Sequence, residues 1–489
     1  MAAMVDFSSQ PTMKGFFAPT RFEADVYDCE VIGKVPTDLN GAFVRLGGDW
    51  LYPPKFDDDS PFSMDGYINM FRFRNGVVDY KGRWVKTPRF KADRAARKQL
   101  FGKYRNPFTD DPSVAGLDRT VQNTTPLAFA GKLFTLKEDS LPYEVDCNTL
   151  ETIGPYNFHG KYKSLTFTAH PKVDPGTGEM ICYGYEAEGL ETNDVFLYTI
   201  SKKGEVTREL RFKVPYVSMV HDISITQKYV IIPIFGFVSS MERLKAGKVH
   251  WGWDDTKPAM VAIVPRDGEA KDIRWFKGPS RATVHTLNAR DQGDKVIFEA
   301  PIYDSNPFPF FPPVDGSPWD PAKARAYIRR QTFNLNSKDD GFVEEKLFEM
   351  NVSDLGRVDD RYMTQPYRYA FTAYADKQRP FEEWKAGNLA GRVNNCYGRF
   401  DLATGKMNSY FAGPTHSLQE VCFVPRKSGA EGEGYVIGVA SNYAEMRSEL
   451  IIADAQRLEE GDVARVILPF RATAQVHGRW VDASELPFA

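Results

Sequence analysis

Turn residues recur along this chain at short intervals, each time followed by a run that alternates or stays apolar, and this excludes most folds at the outset. Asn75-Gly76 precedes VVDYKGRWV, Asp174–Gly178 precedes EMICYGYEA, Lys203-Gly204 precedes EVTRELRFKV, Asp401–Gly405 precedes KMNSYFAG, and Gly434 precedes YVIGVASNY. Such units read as β-hairpins, with Gly or Asn supplying the positive φ at which the strands reverse. Tyr229–Val238 and Val296–Tyr303 are apolar at nearly every position, as in strands covered on both faces. The units run from about Gly41 to Trp480 without a Pro/Gly/Ser-rich linker. One all-β domain over residues 1–489 is therefore expected, with residues 1–20 as an irregular N-terminal extension. Many short sheets in one domain fit a propeller or a large sandwich, and no blade repeat is crisp enough to decide between them. Helical periodicity is confined to Lys91–Phe101, Ser239–Ala246 and Pro321–Gln331, expected on loops or as a cap.

Composition narrows the function classes. A formal net charge of −3 gives no global attraction to nucleic acid or acidic lipid. Five cysteines (Cys29, Cys147, Cys182, Cys396, Cys422) lack CxxC spacing, which argues against a disulfide framework and a thiolate metal site. The N-terminal MAAMVDFSSQPTMKGFF has no basic start followed by an apolar run, so no signal peptide is expected. No apolar stretch is long enough for a membrane span, and cytoplasmic residence is the expectation.

One segment stands apart. Asn306–Asp320, NPFPFFPPVDGSPWD, holds five prolines and four large aromatics, a proline density no strand tolerates. It reads either as a rigid crossover packed on the core or as a lid or mouth over an apolar site. Phe308, Phe310 and Phe311 would also serve a homodimer contact.

The seven histidines are the candidate chemistry. None has local ligand spacing: the gaps separating His170, His221, His285 and His477 are 51, 64 and 192 residues, unlike any zinc motif. Separate blades converging on an axis would bring such distant residues together, whereas lone histidines in strands are commonly structural. Context favours these four, which sit in TAHPKVD, VSMVHDISIT, ATVHTLNA and AQVHGRW, at strand-like positions with small or apolar neighbours. His159, His250 and His416 lie in polar, loop-like or Gly-Pro turn settings and read as structural. Four neutral imidazoles on an octahedral metal leave two positions open, which suits Fe(II) and O2, whereas zinc would close as a tetrahedron. Ligating histidines also need acceptors for their other N–H. Glu138 and Glu420, each set in an apolar stretch, are candidates, because a carboxylate there is costly without a partner.

At these residues the chain resembles the carotenoid cleavage oxygenase superfamily over nearly its whole length. The matching stretches are GAFVRLGGDW, SMDGYINMFRFRNG, LFTLKEDSLPYEVD, FTAHPKVDPGTGEMICYGY, MVHDISIT, HTLNA, PYRYAFTA, QEVCFVPR and VHGRW. The resemblance implies a seven-bladed β-propeller with an axial Fe(II) on His170, His221, His285 and His477, and with Glu138 and Glu420 behind the histidines. A third carboxylate is implied before PYRYAF, where the family usually shows Glu-Phe-Pro-Arg. This chain has Asp354-Leu-Gly-Arg357, with Asp354 as the shorter stand-in, reaching its histidine directly or through water. RLGG at Arg45–Gly48 replaces the usual RNGP, with no functional reading.

Within the superfamily the chain is similar to the stilbene-cleaving branch, the lignostilbene dioxygenases, through Lys137 directly before Glu138. In that branch a Lys and a Tyr bind the 4-hydroxyl of the stilbene and a Phe packs on its ring; Lys137, Tyr104 and Phe62 match those places. The resemblance implies O2-dependent cleavage of the central C=C of a lignin-derived 4-hydroxystilbene to two aromatic aldehydes. Lys137 would stabilise the phenolate and so enrich the alkene in electrons. An apocarotenoid-cleaving oxygenase with the same iron and a non-catalytic binding propeller are the competing expectations. Strand alternation would turn Lys137 and Glu138 to opposite faces, a tension with their shared role.

Overall fold

The computed structural model of the chain describes residues 7, 13–382, 393–473 and 475–489. Seven antiparallel sheets form the seven blades of a β-propeller. Blade 1 comprises Thr125–Phe129, Lys132–Leu136, Tyr143–Val145 and Thr152–Pro155. Blade 2 begins at Lys172–Val173, blade 3 at Ser224–Ile225, blade 4 at Asn288–Gln292 and blade 5 at Arg357–Val358, each a four-stranded meander. Blade 6 is built on Gly434–Asn442, Arg447–Asp454 and Asp462–Ile467, and takes Glu30–Gly33 as its outer strand. Blade 7 joins Gln475–Asp482 to Gly41–Asp49, Asp65–Arg74, Val77–Trp84 and Ala24–Val26. Two blades are thus closed by strands from opposite parts of the chain, which leaves the ring without a seam.

The apolar core lies between the blades as seven layers. Ile181, Tyr183 and Leu197 of blade 2 meet Val230, Ile232 and Val264 of blade 3, while Ile231, Val261 and Ile263 on the other face of blade 3 meet Val296, Phe298 and Phe333 of blade 4. Each sheet is sandwiched by two neighbours, which is why strands such as Tyr229–Ile234 read apolar at every position. That run is shorter than the expected Tyr229–Val238: Phe237–Val238 leaves the blade to pair with Gly252–Trp253.

Four of the five turn signals hold; Gly434 is instead the first residue of strand Gly434–Asn442, and the glycine with positive φ in that turn is Gly432, at 77°. Asn75 and Gly76 take φ of 54° and 80° between paired strands, as a type I′ hairpin demands. The helical expectations fare less well. Pro321–Gln331 is no helix; Ala326–Asn334 is a strand of blade 4. The helix propensity of AKARAY is worth only tenths of a kcal/mol per residue. As a strand it buries Ile328 against blade 5 and Phe333 against blade 3 completely, at roughly 1.5–3 kcal/mol each, and burial wins. Lys91–Phe101 starts and stops early, as helix Pro88–Ala96. Thr87 accepts a hydrogen bond from the Phe90 N–H, Pro88 opens the first turn, and Arg97 ends it at φ 56°. Ser239–Ala246 contains a short helix, Met241–Lys245. Among the described residues no helix is long and apolar enough to cross a membrane.

Candidate metal centre and adjoining cavity

The first strands of blades 2, 3 and 4 start just beyond His170, His221 and His285, and His477 lies in the blade-7 strand Gln475–Asp482. Their ring nitrogens lie within 4.8 Å of one another at the propeller axis. The Nε2 of His221 is 3.0 Å from those of both His170 and His285. The same position in blades 5 and 6 supplies carboxylates instead, Asp354 three residues before Arg357–Val358 and Glu420 two before Cys422–Pro425.

Three carboxylates back three of the rings. Glu138 bonds His221 Nδ1, Asp354 Oδ2 lies 2.8 Å from His285 Nδ1, and Glu420 Oε1 lies 2.9 Å from His477 Nδ1. The contact of Asp354 is direct. A carboxylate acceptor fixes the proton on Nδ1 and leaves Nε2 as a bare lone pair. Lone pairs facing each other at 3.0 Å repel, and His477 Nε2 is buried without a partner among the described residues. A cation among the four nitrogens turns both costs into bonds, so these residues fit a metal ion. Burial, reinforced by the other three imidazoles, holds His170 well below the usual histidine range, and burial holds His477 down to about 4 despite Glu420. Both rings are neutral and able to ligate at neutral pH. Arg357 braces Glu420 at 2.9 Å, and with His477 it outweighs burial and holds that carboxyl down to about 2.

A cavity of about 180 Å³ opens against His221 and His285 and is lined by Phe62, Tyr104, Lys137 and Phe308, with Met219, Val284, Leu355 and Val476 completing an apolar wall. Lys137 is buried. Its Nζ donates to Asn123 Oδ1 at 2.8 Å and to the Phe62 carbonyl at 3.3 Å, leaving one N–H for the cavity. It also sits over the rings of Tyr104 and Phe62, 5.1 and 5.4 Å from their centroids. Burial pulls its pKa below the usual lysine value. The facing problem dissolves because strand Lys132–Leu136 ends one residue earlier; past its end the alternation no longer applies, and Lys137 and Glu138 both reach the cavity.

The proline-rich loop packs on the core and also borders the cavity. Phe311 is fully buried in the layer between blades 2 and 3, while Phe308 lines the cavity and Phe310 packs edge-on to Phe62 at 5.1 Å.

Sequence reading missed Asn123, which donates to the carbonyls of Phe62 and Met64 and so aims its oxygen at Lys137; nothing in its spacing marks it. Gly48 also gains a reason, since a Cβ there would come within 2.4 Å of Met64 Cβ and 3.3 Å of Asn123 Nδ2. His250, placed in a loop-like stretch, is fully buried. It bonds Glu186 at 3.0 Å and the Arg105 carbonyl at 3.1 Å, while Arg105 pairs with Glu186 and donates to the Glu138 carbonyl at 2.9 Å. His416 contacts Glu449 at 3.1 Å, and His159 lies on the surface beside Tyr156.

Comparison with known proteins matches this architecture. The profile of the "Retinal pigment epithelial membrane protein" family (RPE65) aligns with residues 17–482. The chain is 42% identical to the lignostilbene-alpha,beta-dioxygenase isozyme III of Sphingomonas paucimobilis, over 99% of this chain and all of that protein. It is 41% identical to the isoeugenol monooxygenase of Pseudomonas putida, over 96% and 98% of the two chains. The crystal structure of Pseudomonas brassicacearum lignostilbene dioxygenase superposes with a TM-score of 0.95 at 38% identity, covering 98% of this chain and 100% of that one. With a family profile spanning the ring and whole-length relatives above 40% identity, the chain belongs to the RPE65, or carotenoid oxygenase, family.

Proposed function

We propose that residues 1–489 form a single non-haem Fe(II) dioxygenase domain that cleaves the central C=C of a 4-hydroxystilbene with O2, giving two aromatic aldehydes. One observation carries the substrate assignment: a buried lysine and two imidazoles of the candidate centre share the wall of one small apolar cavity. His170, His221, His285 and His477 would hold the iron, oriented by Glu138, Asp354 and Glu420. When bound, the iron supplies activation of O2. Each atom of O2 ends on one carbon of the alkene, so the products balance as two carbonyls with no further reductant.

The chain's own residues do the rest. The free N–H of Lys137 meets the substrate's 4-oxygen and favours its phenolate form, which pushes electron density into the alkene. Tyr104 shares that oxygen, and Phe62 packs on the ring. The apolar wall excludes water and strengthens these electrostatic contacts. Phe308 and Phe310 close the mouth; a homodimer contact through this loop would use Phe310, since Phe311 is enclosed. A cytoplasmic role in lignin catabolism accompanies this reading. A second reading, a 4-hydroxyphenylpropene substrate, is favoured by the cavity volume, which lies below the ~300–1,000 Å³ of sites for drug-sized ligands, and by the isoeugenol relative. The buried cation and small cavity count against a long polyene.

The test is O2 uptake with aldehyde detection by iron-loaded protein, using 4-hydroxystilbene, its 4-methoxy analogue, a 4-hydroxyphenylpropene and an apocarotenoid. Turnover of the 4-hydroxy compound and near-silence with the methyl ether are expected. Equal turnover of the two would remove the phenolate mechanism. Lys137→Met should cost about 10²-fold in rate while iron content stays unchanged.

A further inference from the structure

Of the three carboxylates behind the histidines, two are glutamates and one is an aspartate. The side chain of Asp354 is shorter by one C–C bond, about 1.5 Å, yet its contact with His285, at 2.8 Å, is as close as that of Glu420 with His477. The segment carrying it must therefore sit nearer its histidine, and two contacts with the blade 4 side let it do so.

The first is Gly356. A Cβ at this position would lie 2.6 Å from Leu287 Cδ2 and 3.4 Å from Pro301 Cγ. Leu287 is buried among Ile328, Phe348 and Val352 and has little room to yield. Glycine lets residues 354–356 settle this deeply against blade 4 without displacing the Leu287 methyl. The second is Tyr303, the last residue of strand Lys295–Tyr303. Its hydroxyl donates to Asp354 Oδ1 at 2.8 Å, leaving Oδ2 for His285. The backbone of Tyr303 exchanges both hydrogen bonds with Ala282, three residues before His285. One residue thus grips the segment that carries the histidine and the carboxylate that aims it.

We propose that Tyr303 is a positioning residue of the metal centre: its hydroxyl, together with the seating of residues 354–356 that Gly356 permits, holds the short carboxylate of Asp354 on His285. This rests on the four-histidine centre assigned above. Leu355, between the two, lines the substrate cavity, so the same seating also sets part of the substrate wall.

The experiment measures metal binding rather than turnover. Full-length wild type, Tyr303→Phe and Gly356→Ala, the last with and without Asp354→Glu, are stripped of metal. They are then titrated with Co(II) against a competing chelator, followed by visible absorption, and the melting temperature of each stripped protein is recorded. Tyr303→Phe keeps the ring and loses only the hydroxyl. It should melt like the wild type and bind Co(II) about 10-fold more weakly, the lower end of what losing such a support costs. Gly356→Ala should weaken binding similarly, and Asp354→Glu in that background should recover most of the loss by restoring reach. Wild-type affinity in Tyr303→Phe overturns the proposal. Should Tyr303→Phe fail to fold, the glycine pair decides: rescue by Asp354→Glu supports the seating, and equal loss in both backgrounds overturns it. A wild type that binds no Co(II) would overturn the four-histidine centre itself, whereas a binding wild type with an unaffected Tyr303→Phe overturns only the role of Tyr303.

Discussion

Among the buried clusters that combine histidine with carboxylate, the one at the axis and the one around His250 are built in opposite senses. At the axis each of three rings gives one nitrogen to a carboxylate and turns the other toward its fellows, so that lone pair meets lone pair at 3.0 Å between His221 and His285, and His477 Nε2 has no partner among the described residues. Around His250 both ring nitrogens face oxygens, Glu186 on one side and the Arg105 carbonyl on the other. The first arrangement is incomplete without a cation; in the second both nitrogens of the ring are satisfied, with Arg105 pairing with Glu186 and Glu191 standing 3.8 Å from the ring. Burial and carboxylate pairing, common to both, do not identify a metal ligand. The side of the ring left without a protein partner does.

The sharpest way to break this contrast is to truncate one ring from each cluster. His221→Ala should abolish stoichiometric iron binding, a larger loss than the ~10–100-fold that follows removal of a supporting partner, as metal analysis of the purified variant would show; full retention of iron would dissolve the distinction. His250→Ala should leave iron content intact and instead cost about 3–5 kcal/mol of stability, because Glu186 and Arg105 lose a buried partner. Urea denaturation of the iron-loaded protein measures this.

Acid titration tests the second cluster more gently. Burial pushes the Glu186 carboxyl up, but His250 and Arg105 outweigh it and hold the group down to about 2. Its folded value lies below the ordinary 4.5, so its contribution is fully present above pH 4.5 and is lost as pH falls toward 2. At about 1.4 kcal/mol per pH unit this amounts to about 3 kcal/mol. Removing His250 should flatten that part of the stability profile, seen as a smaller fall in melting temperature between pH 4.5 and 3. Smallest of all, His159→Ala on the surface should change stability by no more than ~0.5 kcal/mol and leave iron content unchanged, by the same two measurements.

Much of the axial cluster was legible as residue types, but its periodicity was hidden. Read as histidines alone, the gaps of 51, 64 and 192 look irregular. Once Asp354 and Glu420 are counted, the sequence separations run 51, 64, 69, 66 and 57, one blade apiece. The repeat was present but carried on two residue types. His250 is structural, as its context suggests, but its burial was not legible: its partner Glu186 lies 64 residues away, and nothing local announces a bond across blades. The difference at Pro321–Gln331 is one of magnitudes, since local propensity is small against the burial that the two neighbouring blades supply. The hairpins were readable because their determinant, positive φ at Asn75 and Gly76, is local to the turn.

The pairing of Gln475–Asp482 with Gly41–Asp49 has a consequence for biosynthesis. His477 rides on this strand, so a chain emerging from the ribosome carries three of the four imidazoles long before the last can take its place. Closing the ring and completing the candidate metal-binding set become a single event. A nascent or C-terminally clipped chain would then present an incomplete set of nitrogens to passing metal ions, and reactivity toward oxygen would be withheld until the fold is finished.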